Sequence, residues 1–148
     1  MRQQATLTQM FETACREVGD RAFLIDDVAA LSGNEAAKAA RQAAYRLAGA
    51  GLRPGGVAAF LCGPSTDHAV AFFGVARAGG IGCALHVRDT DARLAATLDE
   101  VRPQLVVADE AELERAARLA DMAAADVRVI GLADLARLST GDEEGEAH

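Results

Sequence analysis

The sequence predicts an α/β protein: a mainly parallel β-sheet with helices on both faces, preceded by an N-terminal helix and a short hairpin. Three observations carry that expectation. Between Leu52 and Asp109, three short apolar runs (57–62, 81–86 and 105–108) alternate with two helix-length patterns, a β-α-β-α-β core. The helix over 67–78 carries AVAFFGVA at 69–76, eight residues without a charge, so it has to be buried on most sides. A further helical pattern and a fourth apolar run, 127–132, extend the alternation.

The elements follow in chain order. Thr6-x-x-Gln9 is a capping box, and Leu7, Met10, Phe11, Ala14, Cys15 and Val18 then recur at helical spacing until Gly19. AFLI and VAAL flank Asp26-Asp27, which predicts a hairpin or a bent strand pair. Ser32-x-x-Glu35 opens a second helix to about Ala48, ended by Gly49 and Gly51. Its face of Ala36, Ala40, Ala43 and Leu47 is mostly small and suits close docking on a sheet. Gly74, in the uncharged helix, is expected to bring backbone close to a sheet as well. A helix over 110–125 presents Leu113, Ala116, Ala117 and Ala120 on one side, and 133–138 has room for one or two helical turns. The expected organisation is one α/β domain over 1–138, with an acidic, disordered tail over 139–148.

A chain of 148 residues buries about 70% of its unfolded surface, enough for a core. Half of it is apolar (51%) but only 4% is aromatic, the balance of an Ala/Val/Leu-rich globular protein. Of the net charge of −7, four charges sit at Asp142, Glu143, Glu144 and Glu146, and nucleic acid, which wants a basic face, is not expected as a partner. No apolar run approaches the ~18 residues of a membrane span, and the start lacks the apolar core of a signal peptide, so a cytoplasmic protein is expected. Cys15, Cys62 and Cys83 are widely spaced with no CxxC pair, and read as small apolar residues rather than redox or metal groups.

Candidate chemistry is sparse. Gly63-Pro64-Ser65-Thr66-Asp67 joins a strand to a helix start, where backbone N–H groups can hold an anion. Without GxGxxG or GxxxxGK[ST], it reads as a helix cap. His86 ends a strand, where α/β sheets often bind ligands, but has no second His near it in sequence. His68 is a first-turn helix residue. The pairs Asp26-Asp27 and Asp99-Glu100 read as solvated carboxylates, and Arg53 as satisfying carbonyls at its turn.

One ordered series goes further. Gly51-Leu52-Arg53-Pro54-Gly55-Gly56-Val57-Ala58, then Pro64-Ser65-Thr66-Asp67, then Ala76-Arg77-Ala78-Gly79-Gly80 follow in register. Ala84-Leu85-His86-Val87, Ala92-Arg93-Leu94, Leu98 and Asp109 complete it. Over most of residues 6–132 the chain resembles the N-terminal part of the adenylate-forming ligases: acyl-CoA synthetases, peptide-synthetase adenylation domains and luciferases. It departs at Gly56 (usually Asp), Gly82 (usually aromatic), Ala84 and Val87 (usually Pro) and Ser32-Gly33 (usually Thr-Tyr).

The resemblance implies ATP and Mg²⁺, with CoA or a carrier protein as acceptor, for a complete family member. The family's phosphate loop, its ribose-binding Asp and its catalytic Lys lie downstream of the matching region. No catalytic, cofactor-binding or metal residue is therefore assigned to this chain, and Lys38, its only lysine, sits on an early helix. Two readings follow. In one, the chain is the N-terminal subdomain, or a truncated or split form, of such a ligase, inactive alone. Its partner is then the remaining part of the ligase, or a second copy through an apolar face to which the helices over 36–50 and 69–76 contribute. In the other, it is a self-contained flavodoxin-like binding or regulatory module.

Overall fold

The alternation of apolar runs becomes four parallel strands. The computed structural model describes residues 6–124 and 126–138. After α1 (Leu7–Val18), β1 (Ala22–Ile25) and β2 (Ala30–Ser32) form an antiparallel hairpin that leads into α2 (Gly33–Gly49). Then β3 (Val57–Leu61), α3 (Thr66–Arg77), β4 (Ile81–Ala84), α4 (Asp91–Val101) and β5 (Leu105–Ala108) alternate. The chain continues through α5 (Leu113–Met122), β6 (Arg128–Gly131) and α6 (Leu132–Ala136). The parallel sheet runs β4-β3-β5-β6, with Phe60 of β3 beside Ala84 of β4 on one side and Val107 of β5 on the other. The acidic stretch 139–148 lies outside the described residues.

Both faces of the sheet are covered, which is why its central strands are apolar without alternation. Ala58, Phe60, Leu105 and Val107 pack under α3, α2 and α6; Ala59, Leu61, Val106 and Ala108 pack on α4 and α5. Both capping boxes form, Thr6 with Gln9 and Ser32 with Glu35, and Gly19 caps α1 at φ 61°. No residue of the uncharged run 69–76 is exposed.

Three expectations need correction. Gly74 does bring two backbones together, but the partner is α2: a Cβ at Gly74 would lie 2.7 Å from Ala43 Cβ. The small face of α2 likewise docks on neighbouring helices. Ala36 and Ala40 pack with Phe11 and Cys15 of α1, while Ala39 and Ala43 share a cluster with Val70 and Ala71 of α3. The elements are also shorter than the apolar runs. β4 ends at Ala84 because the chain turns there, with the Asp89 N–H donating to the His86 carbonyl at 2.9 Å. The 110–125 pattern breaks into a 3₁₀ turn, Glu110–Glu112, and then α5.

Of the two helices expected to contribute an apolar face, α3 exposes no residue of the run 69–76, while α2 exposes Tyr45 at 41%. The exposed large apolar side chains also include Ile25 and Val28 on the hairpin, Met10 on α1 and Ile81 at the start of β4.

Candidate functional site

The crossover from β3 to β4 goes to one side of β3, and the return from β4 to β5 lands on the other. Between β3 and β5 the connections therefore diverge, and in open α/β sheets that crevice, outside the carboxyl ends of the strands, is where ligands bind. Here it is a cleft of about 250 Å³ lined by Gly63, Ser65, Asp67, Asp109, Glu110 and Arg137, among others.

The groups that would hold an anion in this cleft are spent within the chain. The Gly63 N–H donates to Asp109 Oδ2 at 3.0 Å, and the other oxygen of Asp109 accepts from the Glu112 N–H at 3.2 Å. At the start of α3, Ser65 Oγ accepts from the His68 N–H at 3.0 Å. The Thr66 N–H donates to Asp26 Oδ2 at 2.8 Å, reaching across to the hairpin. Asp26 Oδ1 accepts in turn from the Val28 and Ala29 N–H groups at 2.8 and 2.7 Å, closing the turn between β1 and β2. These backbone donors, that of Thr66 foremost, pull the Asp26 carboxyl down to about 2. Helix N-termini attract anions, and this one has recruited a carboxylate of its own chain. Asp26 is thus not the solvated carboxylate the sequence suggested; Asp27 is exposed.

The remaining lining is acidic. Asp67, Asp109 and Glu110 face a single guanidinium, Arg137. Burial pushes the Asp67 carboxyl up, Arg137 pulls it down, and nearby Asp26 pushes it up again. A triphosphate brought here would meet three carboxylates, and the residues present do not fit it. Among the described residues, no group of three or more His, Cys, Asp or Glu is placed to hold a metal ion.

The sequence model of the family described as AMP-binding enzyme matches residues 11–148. The chain belongs to the AMP-binding enzyme family. Fumosorinone synthetase of Cordyceps fumosorosea is 30% identical over 115 residues, 78% of this chain and 3% of that protein. A nonribosomal peptide synthetase of Aspergillus campestris is 34% identical over 80 residues, 54% of this chain but 1% of the relative. The chain thus spans a few per cent of the length of these curated relatives. Among solved structures, a benzoate CoA ligase from Burkholderia xenovorans superposes with a TM-score of 0.80 at 18% identity, covering 98% of this chain and 31% of the ligase. The N-terminal domain of FACL13 from Mycobacterium tuberculosis gives 0.83 at 16%, covering 98% and 39%. At such identities the likeness is one of fold.

Two departures of this AMP-binding family member from the usual pattern have local counterparts. A Cβ at Gly56 would lie 2.0 Å from Gln104 Oε1, which accepts from the Arg53 N–H at 2.9 Å and anchors the turn into β3. Any side chain at 56 would displace that anchor. At Gly82, a Cβ would meet the Phe72 ring at 2.8 Å, so α3 lays an aromatic ring over the strand that lacks one.

The other residues singled out by sequence lie apart from the cleft lining. His86 is exposed in the loop after β4, its Nδ1 accepting from the Arg88 N–H at 3.2 Å. His68 is half-buried and stacks on Phe60 at 5.2 Å between ring centroids. Asp99 accepts from the Ala124 N–H at 2.7 Å and ties α4 to the end of α5, while Glu100 is exposed. Arg53 serves its turn through its backbone, and its side chain is exposed. Lys38 lies half-buried on α2. Cys15 and Cys62 are buried, and burial, reinforced by Asp109, pushes the Cys62 thiol up to about 12. That thiol is inert as a nucleophile.

Sequence reasoning missed Arg115. Its side chain, 18% exposed, donates to Asp91 Oδ1 at 2.7 Å, to the Val87 carbonyl at 2.6 Å and to the Asp89 carbonyl. It pins the β4–α4 loop to α5. Only its Glu112 contact is local; the partners that make it a pin, Asp91, Val87 and Asp89, lie 24 to 28 residues away.

Proposed function

We propose that this chain is the N-terminal subdomain of an adenylate-forming ligase and contributes scaffold rather than catalytic groups. Activating a carboxylate with ATP needs a phosphate cradle, a cation for the developing charge and Mg²⁺. In this reading those groups, and the pocket for the acyl substrate, belong to the remaining part of the ligase. ATP, Mg²⁺ and an acceptor such as CoA act in the complete enzyme, and the chain is inactive alone. The observation that carries the reading is the state of the switch-point crevice. The amides of Gly63, Thr66 and His68 are taken by Asp109, Asp26 and Ser65, and the cleft lining is acidic. No helix among the described residues is long and apolar enough to cross a membrane. A cytoplasmic location belongs to the same proposal.

ATP–pyrophosphate exchange with a panel of aromatic, aliphatic and amino acids tests it. The purified 148 residues are expected to give no exchange above the protein-free blank. Exchange that is abolished by a point substitution within the described residues would overturn the proposal.

A further inference from the structure

We draw no further inference here: the strongest candidate, the largely apolar groove of about 310 Å³ between the β1–β2 hairpin and the start of α3, lined by Leu24, Ile25, Pro64 and Ala69 beside the Asp26–Thr66 contact, carries nothing because nothing in the structure shows what covers it and its Thr66 amide is already taken by Asp26.

Discussion

One methyl group added at Gly74 probes the contact between α2 and α3. The new Cβ would stand 2.7 Å from Ala43 Cβ, 3.2 Å from the Ala44 nitrogen and 3.4 Å from the Ala40 carbonyl oxygen. Carbon atoms prefer a separation of about 3.5–4.0 Å. Two of the three neighbours are backbone, so no rotamer change relieves the clash and the helices must part. Overpacking of this kind costs about 1–3 kcal/mol. Against it, Ala gains about 1 kcal/mol over Gly in a helix interior. With the clash at the upper end, Gly74→Ala should lose about 1–2 kcal/mol. At about 2–4 °C per kcal/mol for a domain of this size, the melting temperature should fall by about 2–8 °C. Urea denaturation of Gly74→Ala, Ala43→Gly and the double variant completes the argument. Ala43→Gly alone should cost about 1 kcal/mol in helix propensity. Because the double variant moves the methyl across the contact, it should be more stable than the sum of the single losses by about 1–2 kcal/mol. If Gly74→Ala raises stability by the full propensity gain and the cycle is additive within about 0.5 kcal/mol, the close α2–α3 approach described here is wrong.

Other perturbations follow from the same geometry. Gly33→Ala would place a Cβ 2.3 Å from the Cys15 carbonyl oxygen, and should cost about 2 kcal/mol or more in denaturant unfolding. The Asp26 carboxyl titrates at about 2 in the fold against 3.8 ordinarily, so its contribution is complete above about 4 and is lost as pH falls toward 2. Asp26→Asn should therefore be less stable at neutral pH and lack that part of the acid transition, read from unfolding curves between pH 7 and 2. Arg115→Ala should cost about 2 kcal/mol and speed hydrogen exchange over 86–90, with Arg115→Lys recovering only part because a single ammonium cannot reach three acceptors in a fork. Carbon-detected NMR titration should place Asp67 above the ordinary carboxylate value, moving further up in Arg137→Ala and down in Asp26→Asn.

The parallel sheet was legible because burial on both faces leaves β3 and β5 as unbroken apolar runs. The capping boxes at Thr6 and Ser32 were legible because their bonds span three residues. What escaped depends on contacts distant in sequence. Asp26 looks like half of a solvated acidic pair until the hairpin folds over α3 and sets it 2.8 Å from the Thr66 amide, 40 residues on. Gly74 announces a close approach without naming the partner, and a small face on α2 suits a helix as well as a sheet. Gly56 and Gly82 look like defects in the family pattern until Gln104 and Phe72 arrive to fill the space. The crevice itself could be expected from the β-α-β order; its acidity, and the consumption of its donors, could not.

The amides of Gly63, Thr66 and His68 are spent on Asp109, Asp26 and Ser65 of the same chain, and the described lining of the crevice does not fit a nucleotide. Titrating Mg²⁺·ATP into the ¹⁵N-labelled chain while following those three amides is the direct test. The signals are expected to stay in place, apart from small uniform drifts, up to millimolar nucleotide. Saturable shifts confined to those amides and to Arg137, absent with Mg²⁺ alone, would contradict this.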